Sequence, residues 1–236
     1  IGDARFTLRE FGAARNAYKI SIASSSECRH YARYQLAMLE GIDKKQTKKV
    51  ELLKTIVLDG VGDYVDDAWY ELGRTHIAAE RYAQGAETLQ DFVDSDSSSP
   101  YYVSAMSDLA LAYYNLGRKN EAIACYEKVV EYDPQSASAL EAIRSLRDIY
   151  VKEDRIDDYF AYAERSGVQS DMSTAARDSL TFAAAKSVYL AGDMGEARTK
   201  LTNYLRSFEK GYNRTEALFY LSDCHISLED KPSALE

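Results

Sequence analysis

The residues of this chain able to do chemistry are three histidines, three cysteines and a few clustered acids. Their spacing decides what chemistry is open to them. A structural zinc site needs four converging ligands, normally as close Cys or His pairs. Cys28, Cys125 and Cys224 are odd in number and far apart, and His30, His76 and His225 are equally dispersed. Cys125 and Cys224 fall on apolar helical faces and read as small buried hydrophobes. His76 and His225 share one inward position, so each is expected as a packed ring with a bonded nitrogen. Asp66-Asp67 and Asp157-Asp158 are adjacent pairs. Neighbours on a helix point in different directions, so these are caps or surface charges, not carboxylates sharing a proton. Asp94-x-Asp96-x-Ser98 starts like a calcium loop but has Ser99 at the sharp-turn glycine and Ala105 at the bidentate glutamate. Gly60-Val61-Gly62 lacks the third glycine of a dinucleotide loop and follows a helical pattern, not a strand. No nucleophile elbow and no phosphate loop is present. No enzyme, no cofactor and no metal site is expected.

What does recur is packing. Trp69-x2-Leu72-Gly73-x2-His76 is answered 37 residues later by Met106-x2-Leu109-Ala110-x2-Tyr113. One register, with its first position at His30, Asp66, Val103, Leu140, Asp178 and Thr215, advances by 36, 37, 37, 38 and 37 residues. A period in this range marks a solenoid. The seventh position reads Leu36, Leu72, Leu109, Leu146, Ala184 and Leu221. The fourth reads Arg33, Trp69, Met106, Ile143, Thr181 and Leu218, and the eleventh Glu40, His76, Tyr113, Tyr150, Val188 and His225. Positions four, seven and eleven share one helix face. Positions twenty, twenty-four and twenty-seven do the same on a second helix. Each unit is therefore an antiparallel helix pair, with a small residue at twenty for close approach and larger ones at four, eleven and twenty-four around it.

The punctuation agrees. Gly117 and Gly192 lie at turns inside units, Asp193 and Asp230 can cap second helices, and Pro232 suits a first turn. Leu58-Asp59-Gly60, Asp133-Pro134 and Ser166-Gly167 mark helix ends, and Ser99-Pro100 reads as cap plus first helical residue. The units expected are 1–29 (partial), 30–65, 66–102, 103–139, 140–177 (degenerate), 178–214 and 215–236 (partial), one array over 1–236. With Ile1 in place of Met and a stop inside a unit, the chain is expected to be a piece of a longer protein.

The fold class is all-α. The 19 tyrosines are too many for surface decoration and must pack between helices, their hydroxyls reaching water or a partner. A net charge of −9 argues against general nucleic-acid binding and against an anionic membrane surface. No run of about 20 apolar residues exists to span a membrane.

Taken together, these columns resemble the tetratricopeptide repeat family. Residues 103–136 match best, through Leu109, Tyr113, Gly117, Ala122, Tyr126 and Pro134; the next unit matches at Trp69, Leu72, Gly73 and Tyr82. Tyr159 and Lys49 depart from the small residue expected at position twenty. The resemblance implies an α/α superhelix, right-handed, whose first helices line a concave face. A pace above the family's usual 34 is similar to looser arrays of bacterial cell-envelope proteins, which puts periplasm or envelope ahead of cytoplasm.

The resemblance also implies which residues meet a ligand: positions two, five, nine, twelve and thirteen of the first helices. In this chain position five is Tyr34, Tyr70, Ser107, Arg144, Phe182 and Phe219; position nine is Met38, Arg74, Leu111, Asp148, Lys186 and Asp223; position twelve includes Ile77, Tyr114, Val151, Tyr189 and Ile226; and Asn115 is at thirteen. Bulky apolar residues away from the core stripe, with Arg between them, have the composition of a binding surface. Mostly Tyr, Phe and Leu, they suit an apolar protein or peptide segment more than a terminal carboxylate. A non-catalytic scaffold for a protein partner is the first expectation. The alternatives are a structural spacer or self-association arm using the array ends, and a regulatory domain of a larger protein.

Overall fold

The computed structural model describes residues 1–24, 28–166 and 173–228, which form thirteen α-helices and no strand. The first helices of successive units are α3 (Arg29–Ile42), α5 (Val65–Ala78), α7 (Tyr102–Asn115), α9 (Ala137–Lys152), α11 (Thr174–Leu190) and α13 (Arg214–Ser227). The second helices are α4 (Gln46–Asp59), α6 (Tyr82–Ser95), α8 (Lys119–Tyr132), α10 (Ile156–Ser166) and α12 (Met194–Ser207); α1 (Gly2–Thr7) and α2 (Phe11–Ser24) precede them. The chain divides into two compact units, Ile1–Ala142 and Ile143–Glu236, with the division inside α9. In the first, each helix from α1 to α7 packs on the next, and α5 also packs on α7. In the second, α11 packs on α12 and α13, and α12 on α13. The architecture is the all-α helix-pair solenoid expected from the repeat.

The tightest column is one the repeat reading passed over. Position three is Ala32, Ala68, Ala105, Ala142 and Ala217, every one buried, and Leu180, half-buried, in the unit that starts at Asp178. An alanine there lets the first helix sit close to its neighbours without a void. Position seven is buried in Leu36, Leu72, Leu109, Leu146 and Ala184. Position four is not the core position expected: Met106 is buried, but Trp69 is only half-buried and Leu218 is exposed. Positions three, seven and ten face the core squarely, and four lies at its margin.

Close approach of α5 and α6 rests on two glycines. A Cβ on Gly73 would overlap Leu89, and one on Gly85 would come within 2.7 Å of Ile77 Cγ1. The departures at position twenty have local answers. Lys49 lies beside Gly41 and reaches Glu71 at 2.5 Å, so an ion pair replaces the small residue. Tyr159 is buried, with its ring centroid 5.5 Å from that of Phe160.

The turn between the two helices has one geometry. Position fifteen is left-handed at Lys44 (φ 59), Glu80 (56), Gly117 (75), Asp154 (58) and Gly192 (88). Glycine was expected at two of these; the other three carry a side chain in a conformation that costs an L-residue about 1–2 kcal/mol. The hydrogen bonds that hold the turn offset this. The next residue's N–H donates to the carbonyl of position eleven in Lys45→Glu40 (2.8 Å), Arg81→His76 (2.9 Å), Arg118→Tyr113 (2.9 Å) and Arg155→Tyr150 (2.8 Å). The same two positions also meet through side chains: Lys45 lies 3.7 Å from Glu40, and Arg118 and Arg155 lie over the rings of Tyr113 and Tyr150 at 4.3 and 5.0 Å.

Asp193 caps α12 by accepting from the Glu196 N–H at 3.0 Å, and α4 and α8 end at Asp59 and Tyr132 as expected. Ser99-Pro100 instead forms a turn two residues before α7, with Tyr101 at the N-cap. Gly167, Asp230, Pro232 and Ala234 lie outside the described residues.

Candidate functional site

On the first unit the expected face is built by α3, α5 and α7. Tyr34 and Met38 are half-buried and pack against the cluster of Leu53, Ile56 and Leu72. Tyr34 also meets the ring of Tyr64, the N-cap of α5, at 5.6 Å between centroids. One repeat later Tyr70 stacks on Tyr101, the N-cap of α7, at 5.1 Å. Each N-cap tyrosine thus covers part of the position-five ring before it. Tyr101 donates its hydroxyl to Asp67 at 2.7 Å, and that bond pushes its pKa up to about 12.

Arg74 stands clear of the helix, with 56% of its side chain exposed. Its guanidinium lies 5.5 Å from the Tyr70 ring and 3.8 Å from both Glu71 and Asp108. Leu111 is 41% exposed. Asn115 is exposed too and donates to the Leu111 carbonyl at 2.8 Å. Tyr114 is half-buried, and so is Ser107, whose hydroxyl donates back to Val103 O at 3.1 Å. Ile77 does not belong to the face: it fills the space over Gly85 within its own hairpin.

Three carboxylates share this surface and were not singled out from the sequence: Asp67, at contact position two, and Glu71 and Asp108, at position six. Positions two and six flank position five on the same helix side, and the repeat of acids at six (Glu71, Asp108) was the available signal. Burial pushes the Asp108 carboxyl above its ordinary pKa, against the opposing pull of Arg74 and the Tyr70 hydroxyl. Its Oδ2 is shielded from water and has no hydrogen-bond partner among the described residues.

On the second unit the expected residues fare differently. Phe182 is only 5% exposed and belongs to the core with Leu201, Tyr204 and Ala217, a correction to its place on the face. The buried stripe of α11 is Asp178, Phe182, Ala184 and Ala185, so position five faces inward here. Lys186 binds Glu216 at 2.6 Å, and Tyr220 donates to the same oxygen at 2.7 Å. The Lys186 bond, then the Tyr220 hydroxyl, lowers the Glu216 pKa. Tyr189 donates to Asp223 at 2.6 Å and lies 4.4 Å from the Tyr220 ring. Phe219 is 66% exposed, and Arg144 is exposed on α9.

The residues first read for chemistry stay apart. No group of three or more His, Cys, Asp or Glu could hold a metal among the described residues. Asp96 forms a local turn, accepting from the Ser98 N–H and hydroxyl at 2.8 and 2.6 Å. Asp157 and Asp158 pair with different partners, Arg177 and Arg155. Cys125 and Cys224 are buried as expected, and burial raises the Cys125 thiol to about 11. His76 is buried as expected, but its Nδ1 has no bond among the described residues. Burial, with Arg81 and Lys54 nearby, holds its pKa down.

The tetratricopeptide repeat family model matches residues 103–136. That segment is a tetratricopeptide repeat. The repeat fold extends well beyond it. A crystal structure of MamA is 22% identical, covers 70% of this chain and 92% of its own, and superposes with a TM-score of 0.57. A Podosopora anserina putative kinesin light chain with TPR-like repeats gives 19% identity, 70% and 89% coverage and 0.53. YrrB, described as a TPR protein with an unusual peptide-binding site, gives 17%, 72%, 84% and 0.53. No curated protein matches the chain at the sequence level. At these identities the likeness beyond residues 103–136 is one of fold. Among the described residues no helix is long and apolar enough to cross a membrane.

Proposed function

We propose that the face of α5 and α7, flanked by α3, binds an apolar peptide or protein segment. The observation that carries this is the exposure of Arg74, Leu111 and Asn115 on the side of α5 and α7 opposite the buried Ala68, Leu72, Ala105 and Leu109. An exposed leucine beside a stacked aromatic pair and a loosely held arginine is a small version of an interface centre. The peptide-binding site named for YrrB, a protein of the same fold, supports the reading. A ligand selected by peptide display should lose at least tenfold in affinity when Tyr70, Arg74 and Tyr114 are all replaced by alanine. Unchanged affinity in a variant of native helicity would remove this face.

A second reading, self-association, draws on the exposed Leu218, Phe219 and Ile226 of α13. Light scattering across concentration decides it: a dimer lost on Phe219→Asp supports that reading, and a monomer throughout ends it.

A further inference from the structure

The α5–α7 face is short of positive charge at one point. It holds three carboxylates, Asp67, Glu71 and Asp108, and two cations, Arg74 and the Lys49 that reaches it from α4. Asp67 accepts from the Tyr101 hydroxyl at 2.7 Å. Glu71 takes Lys49 at 2.5 Å, with side chains only 12% and 19% exposed, so that pair is committed. Asp108 is left with the neutral Tyr70 hydroxyl and with Arg74, whose Nε stands 3.8 Å from the unsatisfied Oδ2, too far to donate. Arg74 is held by no short contact: Glu71 is 3.8 Å away too, and most of its side chain is in water. A carboxylate oxygen out of water without a donor is a costly arrangement that a better-placed cation would relieve.

Resting on the binding-face reading above, we infer that the segment bound here presents one lysine or arginine between apolar residues, and that this cation displaces Arg74 and pairs with Asp108. The apolar neighbours of that cation rest on Leu111 and the Tyr70 ring, which flank Asp108 on the same surface. An acidic segment is disfavoured, because a carboxylate brought to Arg74 would stand against Glu71 and Asp108. The net charge of −9 steers the same choice, adding long-range attraction for a cationic segment.

The test uses two blocked leucine-rich peptides that differ only in carrying a central lysine or a central glutamate. Fluorescence anisotropy measures their affinity for the full chain, for Asp108→Asn and for the Tyr70, Arg74, Tyr114 triple alanine variant. The lysine peptide is expected to bind at least tenfold more tightly. Asp108→Asn should bring the two peptides within about twofold while leaving leucine-driven binding in place. As a check independent of any variant, binding of the lysine peptide to the unaltered chain should release protons at mildly acidic pH and none at alkaline pH. Equal affinities, a glutamate preference or no proton release overturns the inference even if the triple variant abolishes binding. Binding that ignores the triple variant, or no binding by either peptide, overturns the face itself. A dimer that the triple variant breaks up would make a second copy the occupant, and the inference would fail.

Discussion

Two surfaces built from the same register positions have opposite character. On α11 and α13, Lys186, Glu216 and Tyr220 satisfy one another, Tyr189 bonds Asp223, and Phe182 has turned into the core. On α5 and α7, Arg74 is loosely held, Asp108 lacks a donor at Oδ2, and Leu111 is exposed. Repeat position alone therefore does not make a binding residue. What marks the first surface is unmet bonding capacity beside exposed apolar area; on the second the polar groups satisfy one another, and what stays open is the apolar Phe219 and Ile226 of α13.

The contrast breaks most sharply at position five. Phe182→Ala should cost about 3–5 kcal/mol, as for a buried aromatic, whereas Tyr70→Ala at the half-buried equivalent should cost roughly half that. Urea unfolding of both variants checks it, and equal losses would place the two rings in equivalent environments. Next in size is Gly73→Ala. Its new methyl overlaps Leu89, so a loss of about 1–3 kcal/mol is expected, against a gain for an ordinary helical glycine. A raised thermal midpoint would contradict the close approach of α5 and α6.

Much of this was legible in the chain. The 36- to 38-residue step and the leucines at seven fixed helix pairs and their order, and Gly117 and Gly192 fixed two turns. Position three was readable as well, since Ala32, Ala68, Ala105, Ala142 and Ala217 recur in step, but small residues are inconspicuous beside a tryptophan. The site was legible only in part. Register placed Tyr70, Arg74 and Leu111 on one side of their helices. It could not show that Ile77 fills the void over Gly85, or that the buried stripe of α11 is turned so that Phe182 faces inward. Position two was among the contact positions but its Asp67 was not singled out, and the carboxylates at six were passed over, because each is an ordinary surface charge until a neighbour's burial and hydrogen bonds give it a role.

The remaining effects are smaller. Glu80→Gly relieves a side chain at φ 56 and should stabilise the chain by about 0.5–1 kcal/mol, measurable as a higher urea midpoint. Lys44→Gly should do the same, while Gly117→Ala, at φ 75, should do the reverse. The gentlest change tests the character of the first surface. Burial raises the folded pKa of Asp108 above its unfolded value, so its contribution is fully present below about pH 3.9 and is lost as pH rises through the folded value. Asp108→Asn should therefore match the parent in acid and exceed it slightly at neutral pH. A variant less stable at neutral pH would mean that Asp108 is well paired as it stands.

The most direct test of the binding face is hydrogen exchange on the full chain with and without a display-selected peptide ligand. Slowed exchange concentrated in Val65–Ala78 and Tyr102–Asn115, with Thr174–Leu190 and Arg214–Ser227 unchanged, is the expected result. Protection confined to the latter two helices would contradict it.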